Sequence, residues 1–180
     1  GRNDTYLSLA EGVVEDPAAN LASAIDTSPY IQVTTYTDDE TSPTLQSFTL
    51  NMTDGVMVLT FDEVIDAASV NPAGFRLQSA ADASLGAVTV SSALAGSVIQ
   101  IDSTIITMTL TTTSANGVRA LTGLAVDAAT TYLRVAPTAL TDVDENDVNA
   151  KPSTAALQTQ GFTGDLVPPV ATRFELNMTS

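Results

Sequence analysis

The chain has 180 residues, a formal net charge of −15 at pH 7 and 44% hydrophobic residues, enough apolar side chains to bury a core. It contains no Cys, His or Trp, which excludes disulfides, thiolate chemistry and the usual zinc sites. The acidity is compatible with divalent cations and argues against nucleic acids and anionic membranes, since both bind basic patches, and no apolar run is long enough to span a membrane.

The residue pattern predicts short strands, and the 27 Thr residues favour them because β-branched side chains fit a pleated surface. In chain order the predicted strands are 44–50, 56–61, 74–79, 85–91, 97–101, 104–111, 130–136 and 155–162. Asp54–Gly55 is a turn signal between the first two strands. The one helical pattern covers residues 113–124, with Ser114 as its cap and Gly123 at its end. Strands without βαβ alternation predict an all-β fold, an antiparallel β-sandwich of the Greek-key type.

The chain also repeats itself at a distance of 126 residues. Residues 1–54 align without gaps on residues 127–180 with 16 identities, including TYL at 5–7 and 131–133 and LNMT at 50–53 and 176–179. One repeat of this length matches a single domain. The sequence therefore predicts three parts: the C-terminal part of one repeat (1–43), a complete repeat (44–169) and the first strand of a following repeat (170–180).

Several stretches resemble one known family. LTFDEVIDAASVNPAGFRLQ (59–78) is similar to the signature of bacterial Ig-like domains of the SbsA surface-layer type. ALTDVDENDV (139–148) and GVVEDPAANL (12–21) resemble the family's acidic turn, with Glu145 and Ala19 in place of its Gly. YTDDETSPTL (36–45) and FTGDLVPPV (162–170) resemble its junction between domains. The chain is likewise similar to long tandem arrays in surface proteins of marine algae and other protists. This resemblance implies tandem Ig-like sandwiches that serve as extracellular spacers, stalks and surface layers, not as enzymes.

Carboxylates near the expected domain junctions predict a structural calcium site, because hard cations bind several oxygen ligands. Residues 142–147 are rich in acidic and amide side chains but lack the Gly and terminal Glu of an EF-hand. We expect an interdomain site made from a loop of one domain, the linker and the next domain. Its candidate ligands are Asp16, Asp39, Glu63 and Asp66, with Asp142 and Asp165 as the same set one repeat later. The alternative is that Asp and Asn favour turns and keep the surface solvated.

Three sequons of the form Asn-x-Thr predict N-glycosylation in a secreted eukaryotic protein. They begin at Asn3, Asn51 and Asn177, and the last two occupy equivalent positions one repeat apart. The alternative interpretation is an ordinary Asn in a turn.

The sequence predicts no catalytic residues and no cofactor other than structural calcium. Its carboxylate pairs lack neighbouring sugar-binding aromatics, and aromatic residues make up only 5% of the chain. The main hypothesis is a non-enzymatic structural or adhesive protein, a rod or filament segment outside the cell, on its surface or on an appendage. Its partners would be neighbouring repeats or copies of itself. The alternative is a module that binds glycans or a protein partner on a cell-surface stalk.

Overall fold

A computed structural model describes residues 4–26, 30–84, 91–99, 101–171 and 173–178. The chain divides into two compact units, Gly1–Glu40 and Thr41–Ser180. The described residues form eleven strands in three sheets and a single α-helix. This confirms the all-β prediction at the level of fold class. Except for Ser91, the predicted strand 85–91 lies outside the described residues.

The first unit contains one small antiparallel sheet. Strand β1 (Tyr6–Leu7) pairs with β2 (Ile31–Gln32). Two isolated bridges continue the pairing into the loop between these strands, Leu9↔Ile25 and Glu15↔Leu21. The apolar side chains of both strands are about half exposed, so the unit buries little apolar surface by itself.

The second unit contains two sheets. One is five-stranded with the order β11-β3-β4-β8-β7, and the other is four-stranded with the order β10-β9-β5-β6. In chain order the elements are β3 (Leu45–Asn51), β4 (Val56–Ile65), β5 (Phe75–Gln78), β6 (Ser91–Ala93), β7 (Gly96–Val98), β8 (Ser103–Leu110), α1 (Thr112–Arg119), β9 (Tyr132–Val135), β10 (Leu157–Gln158) and β11 (Gly161–Thr163).

A single hydrophobic core draws side chains from both sheets. Its members recur at every second position because successive side chains of a strand point to opposite faces. On β4 the buried residues include Met57 and Leu59, and on β8 they include Ile106 and Met108. The four-stranded sheet contributes Phe75, Leu77, Leu133 and Val135.

The apolar residues of β3 do not alternate strictly along its sequence, and the pairing of β3 with β4 gives the reason. A shift of register between Leu45 and Ser47 inserts one residue into the β3–β4 ladder. Leu45, Phe48 and Leu50 are therefore all buried, although strict alternation would place Leu45 on the opposite face.

The predicted strand 155–162 is divided between the two sheets. Its first part, β10, pairs with β9, whereas its second part, β11, pairs with β3. Between them, the Gln160 N–H donates to the Phe48 carbonyl at 2.8 Å. The β11–β3 pair is parallel, so the antiparallel prediction is wrong for these strands. The chain crosses from one sheet to the other there and runs beside β3 in the same direction.

The helix begins and ends earlier than predicted. Thr111 is its N-cap, and its side chain accepts a hydrogen bond from the Ser114 N–H at 3.1 Å. The Ser114 hydroxyl instead accepts a hydrogen bond from the Ala95 N–H, which ties the helix to the connection between β6 and β7. The helix stops at Arg119, before Gly123. Within the described part of the chain, no helix is long and apolar enough to cross a membrane.

We expect Gly74→Ala to lower the free energy of unfolding by about 1–3 kcal/mol, because overpacking forces the backbone to shift. A Cβ at position 74 would lie 2.6 Å from both Cα and Cβ of Ala139. Gly117→Ala is the matched control, since nothing lies within 4 Å of a Cβ there. In the helix, that change should stabilise by about 0.5–1 kcal/mol. Urea unfolding of both variants measures this; equal stabilities would contradict the packing of Gly74 against Ala139.

Candidate metal centre

Asp142 is a buried carboxylate at the centre of an acidic loop. Only 2% of the residue is exposed. Its Oδ1 accepts hydrogen bonds from the backbone N–H groups of Asp144 at 2.9 Å and Asn146 at 2.8 Å, and its Oδ2 accepts one from the Asn146 side chain at 2.9 Å. Glu145 turns the loop with a φ of 68°, in the left-handed region. The hydrogen bonds offset the cost of burying the carboxylate.

The loop around Asp16 in the first unit has the same bonding. Asp16 accepts from the N–H groups of Ala18 and Asn20 and from the Asn20 side chain, each at 2.9 Å. Ala19 has a φ of 62°, like Glu145 one repeat later. Unlike Asp142, Asp16 is exposed. The side-chain hydrogen bond from Asn20 is the main cause that lowers the pKa of Asp16 below its ordinary 3.8.

The likeness extends to the strand pairing on either side of these loops. Every pairing of the first unit recurs in the second at an offset of 126 residues. Tyr6↔Gln32 corresponds to Tyr132↔Gln158, and Leu7↔Ile31 to Leu133↔Leu157. The bridges Leu9↔Ile25 and Glu15↔Leu21 correspond to Val135↔Lys151 and Thr141↔Asp147. The described residues of 5–26 and 30–33 thus share their strand pairing with the equivalent residues of the second unit.

Glu63 is a predicted ligand that lies near Asp142. Asp142 bridges to Ile65 at the end of β4, and one carboxylate oxygen of Asp142 lies within 4.8 Å of one of Glu63. Glu63 is half-buried. Asp66 is also near this end of β4, since its N–H donates to the Thr141 carbonyl, but its own Oδ1 accepts from the Ala68 N–H in a tight turn.

Asp165 lies at the opposite end of the second unit. Its Oδ2 is 2.7 Å from Arg119 Nε, and Arg119 also donates to the Met52 carbonyl, beside the β3–β4 turn. The length of β4 separates that turn from Ile65, on the order of 30 Å. The sequence grouped Asp142 with Asp165, but the structure brings Asp142 to Glu63 and holds Asp165 in an ion pair.

Asp16 and Asp39, the remaining candidates, belong to the first unit. Asp39 lies in the exposed residues that follow β2. Its role as a linker ligand, like that of Asp16, stays a prediction.

The predicted glycosylation sites have different surroundings. Asn3 lies outside the described residues. Asn51 ends β3 and is half-buried; its Oδ1 accepts from the Thr53 N–H and its Nδ2 donates to Asp54. N-glycosylation would leave this nitrogen one N–H, and the bond to Asp54 would then depend on that remaining hydrogen. Asn177 is exposed.

Sequence reasoning missed the ion pair of Arg119 with Asp165, which lines a groove of about 430 Å³. No periodicity links two residues so far apart in the chain. The charges in this groove pair with each other, and its lining has no aromatic side chain of the kind that stacks on sugars. This groove therefore gives little support to a glycan-binding function.

Comparisons with protein-family models, with curated proteins and with solved structures found no match to this chain. The function must therefore be inferred from the residues and their geometry.

We predict that Asn20→Ala raises the pKa of Asp16 towards its ordinary value, because the side-chain hydrogen bond to its carboxylate is lost. Because the pKa of Asp16 is lowered in the folded state, its ionised form stabilises the fold at pH values above the ordinary pKa. This contribution is lost as the pH falls through the lowered pKa. Carboxyl carbon NMR titration measures both effects. Asn146→Ala is the matched control and should leave Asp16 unchanged; an unaltered Asp16 pKa in Asn20→Ala would contradict the assignment.

Proposed function

We propose that this chain is a segment of an extracellular structural or adhesive rod made of tandem Ig-like β-sandwiches, without enzymatic activity. The observation that carries the proposal is the pairing pattern that recurs after 126 residues. A fold unit that recurs along one chain supports a tandem array, in which stability and length grow with the number of repeats. The resemblance to surface-layer Ig-like domains supports the extracellular setting.

The β3–β11 pair supplies a mechanical reason for this function. β3 is the first strand of the second unit and β11 its last, and they are parallel neighbours. Tension along the chain pulls the start of β3 and the end of β11 in opposite directions along the strands. The backbone bonds between them then bear the load together, in shear, instead of opening one after another.

Further backbone bonds lie on either side of this short ladder. The Met52 N–H donates to the Thr163 carbonyl and the Gln160 N–H to the Phe48 carbonyl, both at 2.8 Å. Beyond the ladder, the Thr53 hydroxyl donates to the Gly164 carbonyl at 2.8 Å. A rod of such units would resist stretching at the point where each repeat begins and ends.

Calcium binding is part of the same proposal. Two oxygens bound to one Ca²⁺ at about 2.3–2.6 Å lie at most about 5 Å apart. The separation of Glu63 and Asp142 oxygens is within that limit. Asp16, Asp39 and Asp66 stay candidate ligands on sequence grounds, and a cation held by several of them would stiffen the rod.

Single-molecule pulling tests the mechanical proposal, and the absence of Cys allows two introduced cysteines to define the points of attachment. With Ser42→Cys and Val167→Cys, we expect unfolding at high force and an extension of roughly 40 nm, from about 3.6 Å per residue. With Asp54→Cys and Val167→Cys, both attachments lie at one end of the β3–β11 pair, so the strands should peel apart at a clearly lower force. Equal forces in the two directions would contradict the proposal.

Calorimetric and thermal titration with CaCl₂ tests the calcium site. We expect Ca²⁺ to raise the melting temperature of the chain, since a ligand that binds only the folded state stabilises it. Glu63→Gln should abolish most of that increase, whereas Glu11→Gln, an exposed carboxylate outside the proposed ligand set, should retain it. Absence of binding heat together with an unchanged melting temperature would remove calcium from the proposal and leave the rod untouched.

A further inference from the structure

The residues that follow β11 are held to the second unit by side chains of that unit. The exit segment, residues 164–167, comes directly after β11. Thr53, in the turn between β3 and β4, bonds twice to its backbone. The Thr53 hydroxyl donates to the Gly164 carbonyl at 2.8 Å and accepts from the Leu166 N–H at 3.2 Å. One hydroxyl therefore fixes the backbone on both sides of Asp165.

Arg119 holds the same segment from the last residue of helix α1. Its Nε lies 2.7 Å from Asp165 Oδ2. Its terminal nitrogens donate to the Met52 carbonyl and, at 3.0 Å, to Asn116 Oδ1. One guanidinium thus contacts the exit segment, the residue after β3 and its own helix. Because the planar guanidinium presents its donors in a rigid fork, each of these contacts restricts the geometry of the others.

The ion pair between Arg119 and Asp165 is partly shielded from water, with side chains 27% and 33% exposed. A surface ion pair by itself contributes little, because two mobile side chains must first be ordered. Here Asn116 and Met52 already order the guanidinium. The other carboxylate oxygen of Asp165 accepts from the Val167 N–H at 3.0 Å, so the exit segment orders its own carboxylate. Both partners are therefore oriented before they meet, which lowers the entropic cost of pairing.

Two prolines carry this geometry further along the chain. Pro168 and Pro169 follow the exit segment immediately. A proline ring fixes φ at about −65°, and a proline also restricts the residue before it to extended conformations. Segments rich in proline accordingly behave as semi-rigid spacers. A chain held at residues 164–167 and stiffened by the two prolines keeps its direction, which a flexible loop would lose.

We propose that Arg119 and Thr53 form a clamp that holds the exit segment beside the end of β3 and sets the direction in which the chain leaves the unit. This inference rests on the proposed function, because a fixed direction keeps successive units of a rod at a constant angle. The β3–β11 pair would bear tension along the chain, and the clamp would resist bending. The clamp also gives the Thr of the Asn51-Met-Thr sequon a structural role and makes Asp165 the counter-ion of Arg119.

Distances between two spin labels test the clamp, and the absence of Cys allows the labels to be attached at Thr104→Cys and Val170→Cys. Thr104 is exposed on β8, and Val170 lies beyond the prolines. In EDTA, so that no divalent cation contributes, we expect a narrow distance distribution. Arg119→Lys keeps the charge but lacks the fork, so it should broaden the distribution. Arg134→Lys, at an exposed arginine of β9, is the matched control and should leave the width unchanged.

Hydrogen exchange of single amides is the second readout. Thr53→Val removes the hydroxyl and keeps the branched shape of the side chain. It should raise the exchange rate of the Leu166 N–H about fivefold, the effect of losing one typical hydrogen bond. Thr109→Val, at an exposed threonine of β8, is the matched control and should leave that rate unchanged. The Met108 amide in the same strand is the internal reference for an intact fold.

The proposal is overturned if the labelled parent chain already gives a broad distribution, or if Arg119→Lys gives one as narrow as Arg134→Lys. An unchanged exchange rate of Leu166 in Thr53→Val also overturns it. Both measurements are made without load. The clamp can therefore fail while the β3–β11 pair still bears force in the pulling experiment, and the pulling experiment can fail while the exit segment stays held.

Discussion

The pairing of β3 on both of its edges is the interaction on which the second unit depends. One edge forms a hairpin with β4, and the other pairs with β11, more than a hundred residues later in the chain. β3 also buries Phe48 and Leu50, so it contributes to the ladder and to the core at once. Closing so long a loop has an entropic cost, which the apolar burial along β3 offsets. The same closure places the first and last strands of the second unit side by side, where tension along the chain would be borne in shear, as proposed for the rod.

The acidic residues of these two loops have a structural role that does not depend on a bound cation. Both carboxylate oxygens of Asp142 accept hydrogen bonds from the loop, and Glu145 adopts a left-handed conformation that is unfavourable for a residue with a side chain. The loop of Asp16 keeps the same bonds although it is exposed. A cation beside Asp142 would therefore share oxygens already used by the loop, and Glu63 would add a carboxylate oxygen from the end of β4.

The sequence by itself determined the strand content and the repeat, because both are local or directly comparable patterns. The nearly continuous apolar run over 56–61 and the alternation over 104–111 locate the strands β4 and β8 that build the core. The offset of 126 residues likewise aligns Asp16 with Asp142, whereas the shared bonding of their loops is seen only in the structure. These features need no knowledge of which segments meet in space.

Only the tertiary structure decided the features that depend on distant contacts. The division of 155–162 between two sheets depends on Thr159 and Gln160, which bond to Phe48 more than a hundred residues away. The pairing of Asp142 with Glu63, and of Asp165 with Arg119, depends on which end of β4 each loop reaches. Periodicity assigns a side chain to one face of a strand. It carries no information about the sheet, the strand end or the partner that the chain meets after folding.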